Sequence, residues 1–190
     1  LVDLFEGRDQ LLIYHFMFGP DDDEGCPRCS FTIDNVGHLS HLYARNTSFA
    51  VVSRAPLEKL ERYRKRLGWT VPWYSSQRSD FNYDFHVTLD PSVAPVEYNF
   101  KDAAELERMD PAWRGWSGEE QGVSAFLRRG DRVFHTYSAY ARGIENLMPG
   151  RGSSCFKIRT PWADHSAPSN CCSRLNKGIS WSKAFFCDGV

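Results

Sequence analysis

Apolar residues fall in short runs separated by polar, basic or glycine-containing stretches, and the runs differ in period. Leu11-Leu12-Ile13-Tyr14-His15-Phe16-Met17-Phe18 is apolar along almost its whole length, the pattern of a strand covered on both faces. A polar loop, Gly19-Pro20-Asp21-Asp22-Asp23-Glu24, follows it. From about residue 27 to 45 the spacing turns helical, with Phe31, Val36, Leu39 and Leu42 on one side. Phe49-Ala50-Val51-Val52-Ser53 reads as a second strand. Pro56 opens a helix with Leu57, Leu60 and Leu67 on one side and Gly68 as its stop. The other face of that helix carries Lys59, Arg62, Arg64, Lys65 and Arg66 and is expected to be solvated. Residues 71–75 form a third strand, with Pro72 near its start.

The period is harder to read between residues 76 and 122. Asp80-Phe81-Asn82-Tyr83-Asp84-Phe85 alternates polar and aromatic residues, which suits a strand or a short helical turn with its rings packed on a sheet. Trp113 and Trp116 fall in a loop containing proline and glycine. Residues 123–128 and 132–137 then flank Arg129-Gly130-Asp131, which predicts a β-hairpin. Residues 138–147 read as a final helix, with Tyr140, Ile144 and Leu147 on one side and Pro149-Gly150 as its stop. Helices alternating with short apolar strands predict an α/β fold with a parallel component. Residues 1–148 form the expected domain, and 149–190 read as an irregular, cysteine-rich tail.

Composition narrows the class. With 190 residues, 42% hydrophobic and 25% charged, the chain has room for one domain with a proper core. A net charge of -1 argues against a general nucleic-acid binder. No apolar run reaches the length of a membrane span, so no membrane partner is expected. Six cysteines invite a disulfide framework, but their placement argues against one. Two sit at Cys26 and Cys29, and the rest crowd into the tail at Cys155, Cys171, Cys172 and Cys187. A secreted scaffold spreads its cysteines through the fold, so a cytoplasmic protein is expected.

The chemistry centres on Gly25-Cys26-Pro27-Arg28-Cys29-Ser30, placed between the first strand and the first helix. Strand, loop, Cys-x-x-Cys and helix is the order of thioredoxin-like redox sites. The thiolate is the attacking species, and a free cysteine with a pKa of about 8.5 is mostly protonated at neutral pH. Cys26 is expected at the helix start, where unpaired N–H groups favour negative charge. Pro27 suits the first helical position, and Arg28 adds a positive charge, so both are candidate pKa-modulating residues. Cys29, one turn on, is placed to resolve a mixed disulfide. The run from Asp21 to Glu24 opposes an anion at Cys26. A zinc reading would recruit His38 and His41, but their distance from Cys29 in sequence is short for a finger, and no metal is expected. Phe81, Tyr83 and Val123 are candidate walls of a substrate groove beside Cys26, with core packing as the alternative for the aromatics. His86 and His135 read as structural or surface residues.

The chain resembles the thioredoxin-like superfamily and, more closely, the family catalogued as domain of unknown function 899, described as predicted dithiol-disulfide oxidoreductases. The residues that carry the resemblance are Tyr14-His15-Phe16-Met17-Phe18-Gly19-Pro20, Gly25-Cys26-Pro27-Arg28-Cys29-Ser30, Val52-Ser53-Arg54-Ala55-Pro56, Gly68-Trp69, Ser79-Asp80-Phe81-Asn82-Tyr83-Asp84-Phe85, Val133-Phe134-His135-Thr136-Tyr137-Ser138 and Tyr140-Ala141-Arg142-Gly143. The resemblance implies a thioredoxin-like α/β fold of peroxiredoxin-like layout, a central mixed β-sheet flanked by helices. It also implies Cys26 as nucleophile and Cys29 as resolving thiol.

The expected function is therefore a thiol–disulfide oxidoreductase with no bound cofactor, acting on a disulfide-containing protein or a small thiol or disulfide. The sequence departs from the thioredoxin pattern before the hairpin, where Gln121-Gly122-Val123-Ser124 stands in place of a proline. Two alternatives follow. A non-catalytic thioredoxin-fold binding module accounts for that missing proline and the acidic loop. A peroxiredoxin-like thiol peroxidase accounts for Gly68-Trp69-Thr70-Val71-Pro72 leading into a strand, but Gly19 and Asp23 occupy the Pro and Thr/Ser positions of the peroxidatic motif.

Overall fold

The structure, a computed structural model, describes residues 1–141. In chain order the elements are β1 (Gln10–His15), α1 (Pro27–Asp34), α2 (Ser40–Tyr43), β2 (Thr47–Ser53), α3 (Leu57–Leu67), β3 (Trp73–Ser75) and α4 (Phe81–Asp84). Then come β4 (Thr88–Leu89), β5 (Glu97–Tyr98), β6 (Lys101–Asp102), α5 (Ala103–Met109), β7 (Gly118–Glu119), β8 (Gly122–Arg129) and β9 (Arg132–Tyr140). A five-stranded sheet in the order β3-β2-β1-β8-β9 organises them. β1, β2 and β3 run parallel, whereas β8 is antiparallel to β1 and β9 to β8. A βαβ unit on one side of β1 and a hairpin on the other make the mixed, thioredoxin-like sheet expected from the sequence.

Alternation along the strands sorts the core into two layers. Tyr14, Val51 and Val123 face Cys29 and Ile33 of α1 and Leu60 and Tyr63 of α3. Leu11, Ile13, Ala50, Val52 and Phe126 face the other way, onto Phe5 of an N-terminal 3-10 turn and onto Phe81 and Phe85. β1 leaves the ladder at His15 because β8 begins opposite it, at Gly122. The apolar run continues through Phe16-Met17-Phe18 as buried chain held by the segment after β2. Phe16 N–H donates to Val52 O, and Ala55 N–H donates to Phe18 O.

Several predicted elements change shape. The helix expected over residues 27–45 is two pieces. At its first end Asn35 donates its side-chain amide to Phe31 O at 2.7 Å, and Gly37 follows, so the backbone loses both its carbonyl and its propensity to continue. On α3 the buried pair is Leu60 and Tyr63, whereas Leu57 is 49% and Leu67 39% exposed. Arg62, Lys65 and Arg66 of the basic face are exposed, as expected, but two of its members also make contacts. Lys59 Nζ donates to Pro20 O and Asp22 O, both at 2.8 Å, and Arg66 pairs with Glu24, so this face holds the acidic loop. The 80–85 stretch resolves as the helical turn α4. Ser138-Ala139-Tyr140 are strand rather than the start of a helix, because β8 offers them Ser124, Val123 and Gly122 as partners. The rest of that predicted helix, and the tail over 149–190, lie outside the described residues.

A chain of hydrogen bonds crosses three strands on the second face. His15 Nε2 lies 2.8 Å from Ser124 Oγ, which lies 2.8 Å from Ser138 Oγ, which lies 2.8 Å from His135 Nε2. His15 is buried between Phe81 and Phe85. That burial, with a smaller push from His135, moves its pKa down to about 3.

Two outcomes follow. Leu60→Ala is expected to cost about 2–5 kcal/mol by urea unfolding, and Leu57→Ala less than about 0.5 kcal/mol. The unfolded chain takes up the His15 proton near pH 6.5 and the folded chain only near pH 3, so this contribution to stability is complete above about pH 6.5 and is lost as pH falls through the window. Unfolding titrations from pH 7 to 4 should show it as a slope of up to about 1.4 kcal/mol per pH unit, and a flat profile would contradict a neutral buried His15.

Candidate functional site

The loop that leaves β1 is brought back to it at Cys26, whose N–H donates to Met17 O at 3.0 Å. Cys26 is the N-cap of α1, with φ -55° and ψ 126°, and Pro27 is the first helical residue, where its missing N–H leaves nothing unpaired. Tyr63 of α3 supports the turn from below. Its hydroxyl lies 3.2 Å from Gly25 O and 3.0 Å from Ser30 Oγ, while Ser30 donates back to Cys26 O. Gly25 rests directly on the Phe16 ring: a Cβ there would come within 2.7 Å of Phe16 Cε1. That ring has no room to retreat, since Trp73, Trp69 and Tyr63 surround it with centroids 4.7, 6.1 and 6.5 Å away.

The two thiols are free and differ sharply. Cys26 is partly exposed, and its pKa is lowered to about 6. The largest cause is a hydrogen bond from the Cys29 thiol, followed by the backbone N–H groups of Cys29 and Arg28 and the Arg28 charge, all acting against partial burial. Cys29 is fully buried, which drives its pKa well above the usual thiol value, and its bond to Cys26 and the charge of Cys26 push the same way. The Tyr14 hydroxyl and the Met17 N–H act in the opposite sense, toward the charged form of Cys29. The pair thus favours a thiolate on the accessible sulphur and a proton on the buried one.

Arg28 and Pro27 are both exposed beside Cys26. The acidic loop is turned onto α3, where Lys59 and Arg66 hold it. Of the groove residues expected from sequence, Val123 packs in the cluster that contains Cys26 and Cys29. Phe81 packs on the opposite face of the sheet against His15, and Tyr83 lies under the Arg54 guanidinium, 4.9 Å from its centroid. His38 and His41 are exposed, and among the described residues no group of three or more His, Cys, Asp or Glu side chains comes together to hold a metal.

Residues 1–151 match the family described as bacterial protein of unknown function, DUF899. The chain belongs to DUF899. No curated protein matches it. Solved structures similar to this DUF899 chain include the Xanthomonas campestris bacterioferritin comigratory protein, in a study of its alkyl peroxide reduction activity, at 13% identity and TM-score 0.46 over 73% of each chain. Xylella fastidiosa PrxQ is 14% identical over 74% of each chain with TM-score 0.45. Peroxidoxin BcpB from Mycobacterium tuberculosis is 11% identical, with TM-score 0.45, over 73% of this chain and 72% of that one.

Some residues around the two thiols carry no signal that the sequence pattern makes plain. Tyr14 looked like one more apolar strand position, and Tyr63 was hidden among the leucines of its helix. Glu120 carries no local pattern at all. It stands just before β8, where burial raises its carboxyl pKa to about 7; Trp116 donates to it, Cys26 repels it and Arg28 attracts it. A signal for Tyr14 was available in its strand phase, since it alternates with Ile13 and His15 and so faces the motif helix.

The packing of Gly25 generates a direct test. Gly25→Ala is expected to cost about 1–3 kcal/mol in unfolding free energy, because overpacking at Phe16 must displace the turn. It should also raise the pH midpoint of Cys26 alkylation as the donors to its sulphur move. An unchanged midpoint would mean that the turn is not held by this contact.

Proposed function

We propose that this DUF899 chain is a thiol–disulfide oxidoreductase in which Cys26 attacks a substrate disulfide and Cys29 resolves the product. The opposite displacement of the two thiol pKa values at one helix start carries the reading. A thiol with a pKa of about 6 is mostly ionised at pH 7 and remains a competent nucleophile. The buried partner stays protonated until a mixed disulfide has formed, when the Cys26 charge that opposed its ionisation is gone.

The cycle needs no bound cofactor from these residues. Its substrate class is a disulfide-bearing protein or a small disulfide, and the oxidised pair is returned to the dithiol by an external thiol. A reducing compartment such as the cytoplasm suits a pair that works from the dithiol state. Arg28, exposed one residue from Pro27, stabilises the attacking anion and meets the incoming substrate.

The test is alkylation of the protein by iodoacetamide across pH 4 to 9, with each cysteine followed by mass spectrometry. Cys26 is expected to react with a midpoint near pH 6 and Cys29 to remain unmodified through neutral pH. Cys29→Ala should raise the Cys26 midpoint, because the Cys29 thiol is the largest cause of its depression. A midpoint near the free value of about 8.5 would sink the oxidoreductase and favour the non-catalytic binding module.

A further inference from the structure

The peptide that joins Gly25 to Cys26 is held at both of its polar ends. Its N–H, from Cys26, donates to Met17 O at 3.0 Å. Its carbonyl, from Gly25, accepts from the Tyr63 hydroxyl at 3.2 Å. The next carbonyl, Cys26 O, accepts from Ser30 twice, through the N–H at 2.9 Å and through Oγ at 3.0 Å. Ser30 Oγ in turn lies 3.0 Å from the Tyr63 hydroxyl. Two hydroxyl protons thus serve three contacts, and both carbonyls that flank the Cys26 Cα end on them.

Position 25 needs such support. A Cβ there would meet Phe16 Cε1 at 2.7 Å and Tyr63 Cζ at 3.2 Å, so the residue before the nucleophile has to be glycine. Glycine has the widest choice of backbone angles and by itself fixes little about the peptide plane that follows it. The Cys26 Cα sits at the edge of that plane, so a tilt of the plane swings the sulphur away from the N–H groups at the start of α1. Met17 and Ser30 belong to the same strand–loop–helix run as Cys26, whereas Tyr63 reaches in from α3. Tyr63 is itself firmly seated. It is 8% exposed, and its ring meets Phe18, Trp69, Trp73 and Phe16 with centroids 5.5, 5.9, 6.1 and 6.5 Å away.

We propose that Tyr63 is a positioning residue for the Cys26 nucleophile: its hydroxyl fixes the Gly25–Cys26 peptide plane and, through it, the direction of the Cys26 sulphur. The proposal rests on the thiol–disulfide reading given above. Tyr63 acts through the backbone and keeps its own proton. The step it serves is the first of the cycle. Cys26 Sγ attacks one sulphur of the substrate disulfide, a new S–S bond forms as the old one breaks, and the electron pair leaves with the second substrate sulphur, which takes up a proton from solvent. Positioning of a reacting group is worth most when the group is otherwise free to turn, as one that follows a glycine is.

Tyr63→Phe keeps the ring and removes the hydroxyl. Three readouts are compared with the native chain: exchange of the Cys26 amide hydrogen followed by NMR, the pH midpoint of Cys26 alkylation, and formation of the mixed disulfide on Cys26 with a small aromatic disulfide, quenched with acid for mass spectrometry. In the native chain the Cys26 amide should be protected, since Met17 O holds it. In Tyr63→Phe that amide is expected to exchange about ten-fold faster, the scale of one hydrogen bond, while the amides of β1 and α3 keep their protection. The alkylation midpoint should rise, and mixed-disulfide formation at neutral pH should slow about five-fold or more. Tyr63→para-aminophenylalanine returns an N–H donor to the same place and should restore all three readouts. Native-like exchange and midpoint in Tyr63→Phe would overturn the role of Tyr63, and so would protection lost across β1 and α3 together with an unmoved midpoint, the signature of a merely structural defect. An unprotected Cys26 amide in the native chain would overturn it as well, which decides the matter even if Tyr63→Phe does not fold. Failure of a native chain with a protected Cys26 amide to form any mixed disulfide would instead overturn the oxidoreductase reading.

Discussion

The hydrogen bond from the Cys26 amide to the Met17 carbonyl ties a polar loop back to the buried chain it left. The first cysteine is thereby hung from closely packed chain, the aromatic enclosure of Phe16, Tyr63, Trp69 and Trp73. Gly25 must be bare for the turn to lie on that ring. Once the turn is fixed, Pro27 can start α1, the N–H groups of Arg28 and Cys29 converge on the Cys26 sulphur, and Cys29 is driven into the core below. The electrostatic asymmetry of the two thiols is thus a packing result before it is a charge result.

The same arrangement accounts for the acidic loop. A run of carboxylates ahead of a thiolate looks self-defeating, yet Lys59 holds the loop by two backbone carbonyls and Arg66 takes Glu24. An exposed ion pair of this kind contributes little to stability. Its effect is directional, because it settles which way the loop turns. A carboxylate that does sense Cys26 is Glu120, which is distant in sequence and is itself held toward its neutral form by burial. Negative charge near the thiolate is therefore limited by protonation as well as by distance.

Much of this was legible in the sequence, and the reasons are local. The runs at 11–18 and 49–53 are apolar because the central strands are covered on both faces, and Gly130 with a φ of 60° marks the hairpin turn. Cys-x-x-Cys with Pro27 announced a helix start by its own stereochemistry. What failed to show was whatever depends on a partner distant in sequence. Ser138 to Tyr140 have helical spacing, and only β8 makes them strand. Asn35 ends α1 through its side chain, which no apolar pattern records. Tyr63 is a core residue because Phe16, Phe18, Trp73 and the motif turn, all from other elements, meet on it. Phe81 belongs to the far side of the sheet because α4 lies under His15, a matter of chain routing that alternating aromatics cannot express.

The relay His15–Ser124–Ser138–His135 also bears on how the hairpin assembles. A strand displaced by one residue turns every side chain to the opposite face. Here such a slip of β9 along β8 would put Ala139 or Tyr137 against Ser124 and break the Ser124–Ser138 hydrogen bond, the link of the relay that joins the two strands. The relay therefore favours the native pairing of β9 with β8 over the pairings one residue away. It ties the placement of β9 to a histidine on the central strand that leads into the motif loop.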